Sequence, residues 1–309
     1  MKPEQNLIVS PSPHVKRITS VEEIMYMVVI ALIPATAVGV YFFGLLVLLV
    51  ITASISSALL TEYLALKIMG RKFTMDGSAI LTGLLLALSL PPTVPIWMPV
   101  VGAAFGIAIG KCVFGGLGHN IFNPALVGRV FLATSWPVMM TRWVTPFEAV
   151  TTATPLALWK AEKIYVPARD LFFGNIGGSI GETSALAILV GGIFLIVMRY
   201  IDWRTPLSYM GTVGLMMWLL GEDPIFHALA GGLLLGAFFM ATDYVTTPLT
   251  KKGKVIFGLG AGIIVVLIRM VGGYPEGVAF SILLMNAFTP LIDQVTKPRV
   301  YGTKRKVWQ

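Results

Sequence analysis

Long apolar runs separated by short polar turns dominate this chain. A membrane-spanning helix needs about 20 apolar residues, and ten runs approach or reach that length. They occupy residues 24–40, 42–66, 77–90, 95–110, 122–140, 184–201, 206–220, 225–241, 255–271 and 277–292. The pattern predicts an all-α polytopic membrane protein with about ten transmembrane helices. Because the third and seventh runs are short for a full span, we expect one or both to be broken or tilted.

The first five runs and the last five resemble each other weakly. Gly83-Leu84-Leu85-Leu86 in the third run recurs as Gly232-Leu233-Leu234-Leu235 in the eighth. Phe114-Gly115-Gly116 and Val271-Gly272-Gly273 open polar turns before the fifth and tenth runs. Since five spans are an odd number of crossings, two sequential copies lie in opposite orientations, as two inverted five-helix repeats. The alternative is that glycine-rich apolar helices look alike by composition alone.

Basic residues are unevenly distributed between the two sides that ten spans define. The side with both termini has seventeen Lys and Arg residues and the other side has five. The positive-inside rule therefore predicts that both termini are cytoplasmic. The expected organisation is a cytoplasmic N-terminal tail (1–20), a first five-helix repeat (21–140), an external loop (141–183), a second five-helix repeat (184–293) and a basic cytoplasmic tail (294–309).

The composition of the 309-residue chain excludes several classes of protein. Hydrophobic residues make up 56% of it and charged residues 12%, which is about half the charged share of a soluble domain. A soluble globular protein, a disordered chain and a disulfide scaffold are therefore excluded. The net charge of +8 lies in short segments between apolar runs and gives no indication of nucleic-acid binding.

Candidate metal ligands are few. Cys112 is the single cysteine, and an iron–sulfur cluster usually takes four thiolates, so this chain cannot hold one by itself. His14, His119 and His227 have no metal-binding spacing. We therefore expect no metal site. The polar first twenty residues lack the apolar segment of a cleavable signal peptide.

The predicted external loop contains a threonine-rich turn with the sequence Glu148-Ala149-Val150-Thr151-Thr152-Ala153-Thr154-Pro155-Leu156. From the residues alone, a surface loop is the simpler interpretation, because a threonine hydroxyl is a poor nucleophile without an activating base. The stretch resembles the flavinylation motif of the Rnf and Nqr redox complexes. In that motif an acidic residue, two variable positions and Ser or Thr precede Gly-Ala-Thr. Glu148 stands where Asp is usual, and Thr152 stands where Gly is usual.

The resemblance extends over nearly the whole chain, to the family that contains the B protein of the Nqr complex and the D protein of the Rnf complex. Residues 115–125, 177–183 and 241–248 resemble further signatures of that family. The resemblance implies an electron-transfer subunit of a complex that couples electron flow between ferredoxin and NAD to Na⁺ or H⁺ translocation. Its location would be the cytoplasmic (inner) membrane of a bacterium or archaeon. Because this chain has no Rossmann-type fingerprint, NAD chemistry and catalytic residues are expected on other subunits.

The same resemblance implies that FMN is joined through its phosphate to Thr154 as a phosphoester, made by a separate flavin transferase. Glu148, Thr151 and Ala153 would surround the attachment point. The implied partners are Rnf subunits A, B, C, E and G together with membrane lipid, and no nucleic acid. A covalent bond suits an external loop, because a tethered flavin cannot dissociate where free FMN is scarce.

Gly177, Gly178 and Gly181 precede the sixth run and are candidates for contacts with the same flavin. Backbone N–H groups at a helix N-terminus can face an anion or a flavin edge. A tight turn is the alternative explanation for these glycines.

Asn120 and Asn123 lie at the cytoplasmic end of the fifth run. Their amides have both donors and acceptors and suit the pyrimidine edge of a flavin, but they equally suit the capping of broken helices. Resemblance to the Nqr relative suggests a second, non-covalent flavin here, riboflavin, with Asp243 in the same region.

The alternative function is a channel or transporter with no redox role, because inverted five-helix repeats also suit permeation. Arg129 and Arg269 are costly if they face lipid, so each is expected to face the bundle, to reach an interface or to belong to an ion path. The visible spectrum separates the two functions. A flavin band that survives denaturation supports the redox function, and a colourless protein supports permeation.

Overall fold

The computed structural model describes residues 20–147, 150–273 and 276–298, so most of both predicted tails lies outside the described residues. The helices are α1 (Val21–Phe43), α2 (Leu46–Ile68), α3 (Ser78–Leu88), α4 (Trp97–Ile107), α5 (Pro124–Ser135), α6 (Pro137–Met140), α7 (Pro155–Glu162), α8 (Ala168–Phe173), α9 (Ala185–Val197), α10 (Arg204–Leu219), α11 (Pro224–Leu229), α12 (Leu233–Leu235), α13 (Lys251–Val271) and α14 (Val278–Thr296). The strands are β1 (Trp143–Val144) and β2 (Thr151–Thr152). Two π-helical turns, Ala108–Cys112 and Gly236–Met240, continue α4 and α12 directly.

Four of the described helices, α1, α2, α13 and α14, are long and apolar enough to cross a membrane. Shorter apolar helices are α3, α4 with its π-helical turn, α5 and α9. Each of the ten predicted runs contains at least one helix. The chain is therefore a helical multi-pass membrane protein, as the apolar runs predict. Ten crossings in two inverted repeats stay a prediction.

The helices differ from the predicted runs at particular breaks. The fifth run divides into α5 and α6 before Pro137, because proline has no N–H to continue a helix. The eighth run divides into α11, α12 and a π-helical turn around Gly231 and Gly232, whose φ angles of +70° and +68° favour glycine. The seventh run, one of the two short runs of which we expected at least one to be broken or tilted, forms the unbroken α10 of 16 residues.

The helices fall into a first group, α1 to α6, and a second group, α9 to α14. Helices at equivalent positions in the two groups have matching neighbours. In the first group, α2 packs against α3 and α4, and α4 packs against α5. In the second group, α10 packs against α11 and α13, and α13 packs against α14. Between the groups, α1 contacts α9 and α5 contacts α14, so helices with equivalent positions in the chain meet.

Glycines allow two of these helix pairs to approach closely. A Cβ atom on Gly191 of α9 would lie 2.0 Å from the carbonyl oxygen of Ala31 in α1. A Cβ atom on Gly106 of α4 would lie 2.4 Å from the carbonyl oxygen of Pro124 in α5. Small residues at such contacts let backbones pack directly, which is typical of helix association in membranes.

The described parts of the predicted loop, residues 141–147 and 150–183, are folded rather than extended. β1 and β2 pair antiparallel, with Trp143 opposite Thr152 and Val144 opposite Thr151. The prediction of an all-α chain missed this pair, because two-residue strands are too short to show an alternating pattern. Trp159 of α7 is buried with Phe226 of α11 in a small hydrophobic cluster that is separate from the main core. The segment therefore packs on the second group of helices.

Candidate functional site

Thr154 occupies the N-terminal cap of α7, and Ala153 alone separates it from β2. Its backbone is extended, and its Oγ1 accepts a hydrogen bond of 3.2 Å from the Ala157 N–H. The residue is only 3% exposed, whereas Thr151 and Ala153 are exposed. Glu148, the acidic member of the motif, lies outside the described residues. The candidate attachment hydroxyl is thus a buried helix cap that follows an exposed strand.

An open groove of about 1110 Å³ lies beside Thr154, and the residues on either side of Thr154 belong to its wall. Phe42 and Phe147 also line it, with ring centroids 5.4 Å apart and ring planes at 72°. Asn175 contributes an amide. Aromatic rings supply apolar contact area and an amide supplies a donor and an acceptor. The groove therefore suits a planar aromatic group with a polar edge.

The three candidate glycines have different neighbours. A Cβ atom on Gly177 would lie 2.3 Å from Thr152 Cγ2, and one on Gly181 would lie 2.7 Å from Leu88 Cβ. The Gly181 N–H donates to the Leu88 carbonyl oxygen at 2.7 Å, so it does not face the groove. Gly177 lines the groove, and Gly178 does not. Close packing in a turn accounts for Gly181, and a flavin contact of each of the three glycines stays a prediction.

Glu222, in the turn between α10 and α11, holds the segment that follows Thr154. Its carboxylate accepts hydrogen bonds from Trp159 Nε1 and Lys163 Nζ, both at 2.8 Å, and from the Tyr165 hydroxyl. The Lys163 Nζ also lies 4.2 Å from the centroid of the Trp159 ring. All three donors belong to α7 or to the residues just after it, so one carboxylate fixes α7 against the second group of helices.

The Glu222 carboxyl is ionised over a wide pH range. Its partial burial would raise its pKa, but the hydrogen bonds from Lys163, Tyr165 and Trp159 outweigh that effect and lower the pKa from 4.5 to about 2. Hydrogen bonds to an ionised carboxylate favour its charged form. At neutral pH the carboxylate is therefore a constant acceptor for all three donors.

Arg129 lines a second cavity, between α5 and the start of α12. Its Nη1 lies 3.2 Å from Glu182 Oε1, and its Nη2 lies 2.8 Å from Glu276 Oε2. The Nη1 group also donates to the Ser89 carbonyl oxygen. Arg129 therefore faces the bundle, one of the positions expected for it, and connects α5 to the segments that precede α9 and α14.

Arg269 is fully buried near the end of α13. It donates to the carbonyl oxygens of His227 and Ala230 at 2.6 and 2.9 Å. These carbonyls lie at the end of α11, where helical N–H partners run out. Arg269 thus also faces the bundle, and a contribution of either arginine to an ion path stays a prediction.

Asn120, Asn123 and Asp243 line one inner cavity between the two groups of helices. Asn123 caps α5 through its Oδ1, which accepts from the Ala125 N–H at 3.0 Å, and its Nδ2 donates to the Met240 carbonyl oxygen at 3.3 Å. Asn120 is buried, and its Oδ1 has no hydrogen-bond partner in the described part of the chain. A buried acceptor of this kind is normally satisfied by water or by a ligand.

Lys111 borders the same inner cavity. The positive-inside count includes Lys111, but the residue is only 1% exposed and donates to Glu62 and, at 2.5 Å, to Ser78 Oγ. Sequence reasoning missed this pair, because Glu62 lies within a predicted span and Lys111 just past the end of another. A charge in an apolar bundle requires a partner, and the π-helical turn brings Lys111 to Glu62.

The single cysteine, Cys112, is buried and unpaired. Among the described residues, no three His, Cys, Asp or Glu side chains come together in an arrangement that could hold a metal ion. Any cluster that uses this thiol would take its other ligands from partner chains.

A model of the NQR2, RnfD, RnfE family matches residues 8–302 of the chain. The chain is 50% identical over 309 residues to the D protein of the Na(+)-translocating ferredoxin:NAD(+) oxidoreductase complex of Acetobacterium woodii, with 98% of this chain and 97% of the relative covered. It is 48% identical over 322 residues to the D protein of the proton-translocating ferredoxin:NAD(+) oxidoreductase complex of Clostridium ljungdahlii, with 96% of each covered. Identity to the D protein of the ion-translocating oxidoreductase complex of Stutzerimonas stutzeri is 40% over 328 residues, with 92% of this chain and 93% of the relative covered.

Proposed function

The chain belongs to the NQR2, RnfD, RnfE family, and we propose that it is the D protein of an Rnf-type ion-translocating ferredoxin:NAD oxidoreductase. The observation that carries this proposal is its 50% and 48% identity to two such proteins over nearly the full length of both chains. The chain would transfer electrons, and Rnf subunits A, B, C, E and G would supply the ferredoxin and NAD chemistry. One relative is named for Na⁺ and the other for protons, so either ion is compatible with this chain.

The proposed architecture is ten spans in two inverted repeats, 21–140 and 184–293, in the cytoplasmic (inner) membrane. The matching neighbours of α2, α4 and α5 and of α10, α13 and α14 support the repeat. The seventeen basic residues on one side and five on the other support cytoplasmic tails, 1–20 and 294–309, and an external segment, 141–183.

FMN would be attached to the Thr154 hydroxyl through its phosphate by a separate flavin transferase. The position of this hydroxyl at the N-terminus of α7 supports the proposal, because the helix dipole favours a phosphate there. The adjoining groove, with its aromatic and amide groups, supports it as well. Since Thr154 is buried, the transferase would act before the segment has packed or during its local opening.

When bound, FMN supplies one-electron and two-electron transfer. The contribution of this chain is to hold the phosphate anchor in a fixed position. Glu222 holds α7 against the turn between α10 and α11, and Thr154 begins that helix. Phe42 and Phe147 cover part of the groove wall with apolar surface.

A second flavin, non-covalent riboflavin, is proposed for the inner cavity. The unpartnered Oδ1 of Asn120 would accept a hydrogen bond from an imide N–H. Asp243 lines the same cavity, and Asn123 would act by positioning, because its amide is already used in capping.

The spectrum of the purified chain, produced together with a flavin transferase, tests this function against a channel or transporter without a redox role. The expected result is a flavin band that remains with the polypeptide after denaturation and removal of free flavin. A colourless polypeptide would favour the channel. Riboflavin in the supernatant of the denatured complex would support the second site, and its absence from an active preparation would remove that site only.

A further inference from the structure

A groove with a basic lining opens where α9 ends and α10 and α13 begin. It holds about 1410 Å³. Four cationic side chains line it, those of Arg199, Arg204, Lys251 and Lys254, together with the carboxylate of Asp202. With all five groups ionised, the lining has a net charge of three positive units, on the membrane side where basic residues are already the more numerous.

Among the described residues, two of the four cationic side chains have an acidic partner and two have none. Asp202 lies 3.1 Å from Arg204 Nη1 and 3.5 Å from Lys254 Nζ. Burial of Asp202 would raise its pKa, but the Arg204 N–H and the charges of Lys254 and Arg204 outweigh burial and lower it. Arg199 and Lys251 are exposed and make no ion pair within residues 20–147, 150–273 and 276–298. The groove therefore offers two uncompensated cations to an anion.

The backbone at Arg199 supports a role for its side chain. Its φ of +60° lies in the left-handed region, just after the C-terminal end of α9. Glycine is the usual residue there, because a Cβ atom comes too close to the carbonyl oxygen in this conformation. A backbone outlier of this kind is a ground for a hypothesis of function, and the guanidinium group is what the Arg199 side chain offers.

Apolar surface adjoins the basic lining. Leu249 lines the groove and is 82% exposed, and Val197 and Leu207 are exposed on α9 and α10. Trp203 is also exposed, with its ring 4.9 Å from the guanidinium carbon of Arg204. Tryptophan and arginine are typical of the level where lipid headgroups meet the hydrocarbon region. The N-terminal ends of α10 and α13 add partial positive charge at the same level.

We propose that this groove binds an anionic phospholipid of the surrounding membrane. Its phosphate would contact Arg199 and Lys251, and its acyl chains would cover Leu249 and the neighbouring apolar side chains. A free phosphate compound would satisfy the cations but leave the apolar surface in water, so the amphipathic lining favours a lipid. The site is independent of the proposed flavins and of the redox function.

Native mass spectrometry of the full chain in neutral detergent tests the proposal, with phosphatidylglycerol as the probe and phosphatidylcholine as the uncharged reference. Wild-type protein should retain phosphatidylglycerol in preference to phosphatidylcholine. Arg199→Gln with Lys251→Gln should weaken phosphatidylglycerol binding about 30-fold, because each basic residue contributes about 1 kcal/mol at an anionic membrane surface.

The matched control is Lys67→Gln with Lys72→Gln, which removes two exposed charges from the same predicted membrane side outside the groove. This control pair should weaken phosphatidylglycerol binding by no more than about threefold, which is far less than the loss expected for the groove variant. Equal losses in both double variants, or no preference for phosphatidylglycerol, would overturn the proposal. Displacement of the lipid by equimolar inorganic phosphate would show a free-anion site and overturn it too. If the double groove variant does not fold, Lys251→Gln alone replaces it and should weaken phosphatidylglycerol binding about fivefold; binding equal to wild type in that variant would count against the site.

Discussion

The indole Nε1 of Trp159 donates a hydrogen bond of 2.8 Å to Glu222 Oε2, although 63 residues separate the two in the chain. This bond connects the helix that begins at Thr154 to the turn between α10 and α11. Because α7 has only eight residues, it would be marginal as an isolated helix. The position of the proposed flavin anchor therefore depends on a carboxylate outside the motif.

Glu222→Gln should loosen the segment that follows Thr154. The amide keeps one acceptor but loses the ion pair with Lys163, and hydrogen bonds to charged groups contribute about 1.5–3 kcal/mol. Amide hydrogen exchange in residues 155–165 should become about 30-fold faster, which corresponds to about 2 kcal/mol. Glu222→Asp should recover part of the protection.

The matched control for Glu222 is Glu162→Gln, an exposed carboxyl in the same helix, which should leave exchange unchanged. A pH series adds a second test. Because the folded-state pKa of Glu222 is lowered from 4.5 to about 2, its stabilisation is complete above pH 4.5 and is lost as the pH falls towards 2. After correction for intrinsic exchange rates, wild-type protection that stays constant from pH 5 to pH 2 would contradict this assignment.

Thr154→Ala and Thr154→Asn separate the two roles of this residue. Neither variant has a hydroxyl for a phosphoester, so both should lack flavin fluorescence in a denaturing gel. Asparagine still caps a helix, whereas alanine costs about 1 kcal/mol at that position, so only Thr154→Ala should increase hydrogen exchange in α7. Thr151→Ala and Thr152→Ala should stay fluorescent. If Thr154→Asn is fluorescent and Thr151→Ala or Thr152→Ala is not, the flavin is attached to Thr151 or Thr152 instead of Thr154.

The apolar runs predicted the existence of the main helices well, because burial in lipid leaves a signal in every residue of a span. Their interruptions were harder to predict. The break at Gly231 and Gly232 depends on two left-handed glycines, yet other glycines in the chain lie inside regular helices. The two-residue strands of residues 143–144 and 151–152 leave no periodic signal at all.

The grouping of Asn120, Asn123 and Asp243 was predicted from a family resemblance, and the structure brings all three to one cavity. Glu222 and Lys111 were missed for a common reason. Each side chain makes its decisive contact with a residue about 50 or 60 positions away, and such contacts have no local sequence pattern. A charged residue beside or within an apolar run is the only available signal, and it does not identify the partner.

Gly191→Ala should destabilise the contact between α1 and α9. The added methyl group would lie 2.0 Å from the Ala31 carbonyl oxygen, and forced backbone shifts in a packed core cost about 1–3 kcal/mol. We expect a lower melting temperature in detergent. Gly211→Ala is the control, since a Cβ atom there meets nothing within 4 Å, and it should raise stability by about 0.5–1 kcal/mol. Equal effects of the two variants would mean that α1 and α9 do not pack this closely.

Reporter fusions test the proposed topology. A reporter at the C-terminus should be active in the cytoplasm, and one inserted after Ile164, an exposed position of the 141–183 segment, should be active outside. The expectation follows from seventeen basic residues on one side and five on the other. A C-terminal reporter that is active outside would overturn the proposed orientation and, with it, the external position of Thr154.

The proposed external position of Thr154 has a consequence for energy coupling. Ferredoxin and NAD would react on the cytoplasmic side, so electrons would have to cross the membrane to reach a flavin on Thr154 and then return. Moving one charge across the bilayer changes the free energy by about 2.3 kcal/mol per 100 mV. Because Cys112 is the only cysteine, a cluster for this crossing would need thiolates from partner subunits.

In the intact complex, Thr154→Asn should abolish both ferredoxin-to-NAD electron transfer and ion uptake by vesicles, while α7 stays capped. Wild-type rates of both processes in this variant would show that the flavin on Thr154 lies outside the electron path, and loss of ion uptake alone would show that it serves coupling without carrying the main electron flow.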